Sequence, residues 1–223
     1  MAIRWTPHFL EAQGSLDGWR TPLLESTGAA MERIADHLPD LSVDLLFEFL
    51  PDWAIPELGI GGRTPRIGLA SVALDPDNRD FSSNIDIPLK KMWAHELHHC
   101  ARFATHGYSR HFEDALISEG LADHFAREIF GGEGELWNHA LTNDQTPALF
   151  QRAKALLGST RYDYNGWFFG DREADLPRWT GYTLGYRMIS HYLERRGDMT
   201  AGGAHAVPSA DILSVVSDLF EAP

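Results

Sequence analysis

Residues 87–107 read IPLKKMWAHELHHCARFATHG, and what this stretch becomes decides most of the fold. Pro88 suits the first turn of a helix, where a missing N–H leaves no bond unmade, and Gly107 suits the position just past a helix end. Nothing between them breaks a helix, so one helix is predicted from Pro88 to about Thr105. His95 and His99 are four residues apart and share one face of it, a turn from each other. Two imidazoles so placed can share one zinc ion at about 2.1 Å. Glu96 would then stand beside the ion and take a proton from water, which is the chemistry of the H-E-x-x-H pattern. His98 is turned about 60° from His95, and Cys100 about 100° from His99. His98 is therefore read as a buried polar or supporting group, and Cys100 as a small buried residue of the same helix.

A hydrolytic zinc site needs a third protein ligand and a position left for water. A histidine two turns beyond the pattern fails, because Arg102 and Thr105 stand where a glycine and a histidine would be needed. His106 lies about 10 Å along the axis from His99, too far to share the ion. The next helical pattern, EDALISEGLADHFAREIFGG (113–132), supplies Glu119, twenty residues after His99. Asp123 follows one turn later on the same face. A zinc-bound imidazole needs an acceptor for its other ring nitrogen, and Asp123 is the candidate for that task, with His95 its expected partner. The expected cofactor is one Zn2+ per chain, held by His95, His99 and Glu119.

The surrounding chain is organised simply. Residues 20–38 carry apolar residues at helical spacing. LSVDLLFEFL (41–50) alternates apolar and polar residues, a strand pattern. PDWAIPELGIGG (51–62) is rich in proline and glycine and reads as a turn region; its GIGG lacks the Lys-Ser/Thr of a phosphate loop. RIGLASVAL (66–74) reads as a second strand. Beyond the zinc-pattern helices come a predicted helix at 146–157, an irregular aromatic segment YDYNGWFFGDREADLPRW (162–179), a helix over 181–197, a mobile linker GDMTAGGAHAVP (197–208) and a short helix capped by Ser209. The expected fold class is α+β. It is read as one domain over 1–223, with an α/β part to about residue 85 and a helical part from about 86.

With 223 residues the chain can bury a core without staples. A net charge of −13 repels phosphate backbones, so no nucleic-acid partner is expected. A single cysteine forms no internal disulfide. No apolar run reaches membrane-spanning length, and MAIRWTP lacks the apolar core of a signal peptide. No membrane partner and a cytoplasmic location are therefore expected.

HELHH followed twenty residues later by E-x-x-x-D resembles the thermolysin-like zinc peptidases, the gluzincins, for which a His2Glu ligand set is general knowledge. More narrowly, AHELHHCAR, EGLADHFA, WFFG and PRWTGYTLGY look like a bacterial family of predicted zinc-dependent proteases filed as a domain of unknown function. The likeness runs from about Leu41 to about Leu193. It implies a zincin-like fold, in which a small twisted mixed sheet precedes the helix that carries H-E-x-x-H, and a peptide or protein substrate. It also implies an edge strand that takes a peptide in extended form, for which RIGLASVAL is the candidate. A tyrosine of the helical lobe is implied as donor to the oxyanion, with Tyr182 and Tyr186 the candidates and Arg187 a candidate for a substrate carboxylate. Two other functions remain open from the residues. One is a binding or regulatory protein on a peptidase fold. The other is a di-iron helical protein, which would need a second Glu-x-x-His that the chain lacks.

Overall fold

The computed structural model describes residues 2–221. Its strands are β1 (Ile3–Leu10), β2 (Leu41–Phe49), β3 (Ile60–Arg66) and β4 (Leu69–Leu74). Its helices are α1 (Arg20–Ile34), α2 (Phe81–Asn84), α3 (Ile87–His106), α4 (Phe112–Phe130), α5 (Gln145–Lys154), α6 (Tyr164–Phe169), α7 (Thr180–Arg196) and α8 (Ser209–Val215). The fold is α+β, with a small mixed sheet of four strands in the order β1-β2-β4-β3. Strand β2 runs parallel to both β1 and β4, while β3 is antiparallel to β4. Among the described residues no helix is long and apolar enough to cross a membrane.

The chain divides into two compact units. The first holds Met1–Gly107 with Glu128–Phe130, and the second holds Tyr108–Arg127 with Gly131–Pro223. Helix α3, grouped by sequence with the helical part, therefore belongs with the sheet. Trp93 is the reason. It is fully buried, meets Phe47 of β2 edge-on at 5.5 Å and donates its indole N–H to Thr27 Oγ1 of α1 at 2.8 Å. One side chain thus ties α3 to both the sheet and α1, and fixes its rotation. Strand β2 keeps the expected alternation, with Leu41, Val43, Leu45 and Phe47 buried. Phe9 of β1 lies opposite Phe47 and stacks on it at 4.8 Å.

Two expectations are corrected in this region. The segment 66–74 is not an edge strand: β4 lies between β2 and β3, and the two edges of the sheet are β1 and β3. A nearly unbroken apolar run marks an interior strand, and Ala70 to Leu74 are all buried. Pro65, which cannot donate to a ladder, suits the edge, and the β3–β4 register shifts between Arg63 and Arg66. GIGG is not only a turn, because Ile60–Gly62 begin β3. Its glycines answer to close approaches: a Cβ on Gly61 would lie 2.5 Å from the Trp53 carbonyl oxygen. Strand β1 had no expectation, since IRWTPHFL is interrupted by Pro7 and is largely exposed.

In the second unit α4 and α7 touch through backbone. A Cβ on Gly120 would lie 2.2 Å from the Gly185 carbonyl oxygen, and one on Gly185 would lie 2.2 Å from that of Leu116. Leu116, Leu121, Leu184, Met188 and Phe168 pack around this crossing. The segment 197–208 is not a linker. Ala201 and Ala204 are buried, and Gly203–Ala206 form a short 3-10 helix in this core. Small residues that read as flexible by composition are in part buried in this core.

Candidate metal centre

Helix α3 puts His95, Glu96 and His99 on its buried side, at 9%, 3% and 5% exposure. Burial of three ionisable side chains in five positions demands partners. The two imidazoles converge: His95 Nε2 and His99 Nε2 are 3.0 Å apart, with their rings at 78°. Two nitrogens bound tetrahedrally to one zinc stand about 3.4 Å apart, so this pair is already near the spacing an ion needs. His99 also stacks on Phe103 at 5.6 Å, which limits its ring rotation. Helix α4 supplies the carboxylate. One donor atom from each of His95, His99 and Glu119 lies within 4.8 Å of the others. Two nitrogens and one carboxylate oxygen so close together form a donor set compatible with zinc.

Glu96 is held from β3. Thr64 Oγ1 donates to Glu96 Oε2 at 2.7 Å and lies 3.0 Å from the backbone oxygen of the same residue. His98 is completely buried, and Cys100 is 2% exposed. Burial pushes the Cys100 thiol up to about 12, and the Glu96 carboxylate adds to the shift. A thiol so far from ionising is a poor nucleophile.

Asp123 sits one turn after Glu119 and is 2% exposed. Trp137 donates its indole N–H to both carboxylate oxygens at 3.1 and 3.0 Å, and Asn138 donates its side-chain amide to Oδ2. Both donors come from a short 3-10 helix, Leu136–His139. The next residue, His124, stacks on Tyr186 with ring centroids 4.0 Å apart. Its Nε2 is 3.0 Å from the Tyr186 carbonyl oxygen and 3.0 Å from Ser190 Oγ. Burial lowers its pKa, so it is neutral near pH 7 and donates through Nε2–H.

The remaining candidates fall as follows. The Tyr186 hydroxyl accepts a bond from Arg127 at 3.3 Å, and burial raises its pKa. Tyr182 packs among Phe168, Phe169 and Trp137. Arg187 donates to the Leu141 carbonyl oxygen at 2.9 Å, and burial lowers its pKa. Two tyrosines from the irregular aromatic segment went unmarked. Burial pushes Tyr162 up to about 12, with the Tyr108 hydroxyl and the Glu119 carboxylate contributing. Tyr164 is shifted up by burial and then by Glu119, while a hydrogen bond with Tyr182 works against that shift. The density of aromatics in YDYNGWFF was a usable signal for them. Thr64, Trp137 and Asn138 had none, since each acts on a residue far along the chain.

An α+β fold thus brings two histidines of one helix and a glutamate of the next into a single donor cluster that could hold a metal ion. Residues 52–214 match the family whose description reads "Predicted Zn-dependent protease (DUF2268)", and the chain belongs to that family. It is also similar to "Uncharacterized protein YjfC" of Bacillus subtilis (strain 168), 29% identical over 115 residues. That alignment covers 46% of this chain and 38% of the relative, so the chain spans well under half of the relative's length. No solved structure matches the chain.

Proposed function

We propose that the chain is a zinc-dependent peptide-bond hydrolase of the gluzincin type, with a zincin-like arrangement around H-E-x-x-H. The observation that carries this reading is the convergence of His95, His99 and Glu119, with a second carboxylic acid, Glu96, between the two histidines on their helix. In this reading His95, His99 and Glu119 hold one zinc ion per chain. When bound, zinc polarises a carbonyl and lowers the pKa of water. Glu96 takes the proton from the attacking water and delivers it to the leaving amine. Asp123, itself oriented by Trp137 and Asn138, accepts from the outer nitrogen of a ligand histidine. Tyr182 or Tyr186 donates to the oxyanion, and Arg187 is the candidate for a substrate carboxylate. The substrate is a peptide or protein, taken in extended form along the open edge of β3, where exposed Gly62 lies against Glu96.

The test is Glu96→Gln in the full chain. Zinc content, measured by inductively coupled plasma mass spectrometry, is expected to stay at one per chain. Hydrolysis of fluorescein-labelled casein and of a mixed peptide library is expected to fall about 100-fold or more. Turnover that survives Glu96→Gln, or that is insensitive to chelator, overturns the reading. Two irons per chain would instead favour a di-iron protein.

A further inference from the structure

Glu96 lies on α3, yet its carboxylate is set by β3. Thr64 Oγ1 donates to Oε2 at 2.7 Å, and both groups are buried. The other oxygen has its place because residue 62 lacks a side chain. A Cβ on Gly62 would stand 2.3 Å from Glu96 Oε1 and 2.5 Å from Met92 Sδ. Residues 62 and 64 are two apart on one strand, so both act from the same face. One supplies a donor and the other supplies room.

We propose that Gly62 and Thr64 are positioning residues for the Glu96 carboxylate: together they choose which way it points. The inference rests on Glu96 being the general base of the proposed hydrolase. It goes beyond that assignment, because a helical glutamate beside two histidines has several staggered rotamers open to it. A donor on one oxygen and a space shaped for the other select one of them before substrate arrives. General-base catalysis depends steeply on such placement, and a misplacement of about 1 Å can cost about 100-fold in rate.

A purely structural role, in which Thr64 merely satisfies a buried carboxylate, is separable from this one. Gly62 makes no side-chain hydrogen bond, and its φ lies outside the left-handed region, so alanine suits its backbone. The two nearest atoms that a new Cβ would meet, Glu96 Oε1 and Met92 Sδ, lie in the outer parts of flexible side chains. Gly62→Ala therefore leaves the fold intact and displaces the carboxylate. Thr64→Val keeps the shape and removes the hydroxyl, and Thr64→Ser restores the hydroxyl.

The experiment compares wild type, Gly62→Ala, Thr64→Val, Thr64→Ser and Glu96→Gln as zinc-loaded full chains. Each is measured for zinc content, Tm, kcat and KM on fluorescein-labelled casein, and Kd for acetohydroxamate, whose hydroxyl proton a neighbouring carboxylate accepts. Gly62→Ala is expected to lower kcat about 100-fold and Thr64→Val about 10-fold. Zinc content and the Tm of Gly62→Ala should hold, and Thr64→Ser should recover most of what Thr64→Val loses. Acetohydroxamate affinity, which needs no turnover, should weaken in the same order. The proposal is overturned if Gly62→Ala and Thr64→Val keep wild-type acetohydroxamate affinity and kcat, or if Thr64→Ser is as impaired as Thr64→Val. In either case a Glu96→Gln that loses both quantities leaves the hydrolase reading standing. A Glu96→Gln that keeps both removes that reading as well.

Discussion

The two compact units hold their buried acids by different means. In the first, Glu96 is set by residues of a strand, Gly62 and Thr64, which repeat with the two-residue period of β3. In the second, Asp123 is set by an indole and an amide from a single turn of 3-10 helix, on a helix that itself rests backbone-to-backbone on α7. A strand offers a row of equivalent positions, and small changes along it meet side-chain ends that can move. A short turn and a glycine crossing offer one arrangement only. Glycine thus means different things in the two units: room for a functional group at Gly62, contact between main chains at Gly120 and Gly185.

The sharpest way to break this comparison is to add the same methyl group to each unit. In Gly120→Ala the new Cβ meets the Gly185 backbone, which cannot swing aside. Urea unfolding should show a loss of about 3 kcal/mol, against little change for Gly62→Ala. Equal costs would remove the distinction. Next in size is Trp137→Phe, which takes one of the two donors away from Asp123 while keeping an aromatic ring in the core. Zinc affinity, followed by competition with a chelator, should fall about 10-fold. An unchanged affinity would separate Asp123 from the metal.

The smallest effect concerns pH. Burial lowers the pKa of His124 below its ordinary 6.5, so the unfolded chain binds this proton more readily than the folded one. Stability from the neutral ring is complete above about pH 6.5 and is lost as pH falls from there towards the folded value. Urea midpoints taken between pH 7.5 and pH 5.5 should drop, and His124→Gln should show a shallower drop. An identical slope in the variant would assign the acid sensitivity to other groups.

How much was legible follows the same division. The alternation in 41–50 became β2, and the uninterrupted stretch from Pro88 to Gly107 became α3, because hydrophobic period and helix punctuation act within a few residues. Spacing alone brought Glu119 into view as a partner for His95 and His99, and the three share one donor cluster. Composition misled where small residues occur. GIGG and TAGGAHA read as turn and linker, yet β3 begins in the first and Ala204 is buried in the second. Glycine and alanine signal flexibility when nothing packs on them and tight packing when something does, and local sequence does not distinguish the two.

By itself, then, the sequence determined the helix that carries His95, Glu96 and His99, the helix that carries Glu119 and Asp123, and the period of β2. Each rests on interactions between residues a few positions apart. Only the tertiary structure decided that β3, not β4, lies at the sheet edge, that Thr64 reaches Glu96 across 32 residues, and that Trp137 reaches Asp123 across 14. Such contacts carry no period, because they depend on how the chain returns on itself, and that is set by the packing of residues such as Trp93 and Gly120, not by their neighbours in sequence.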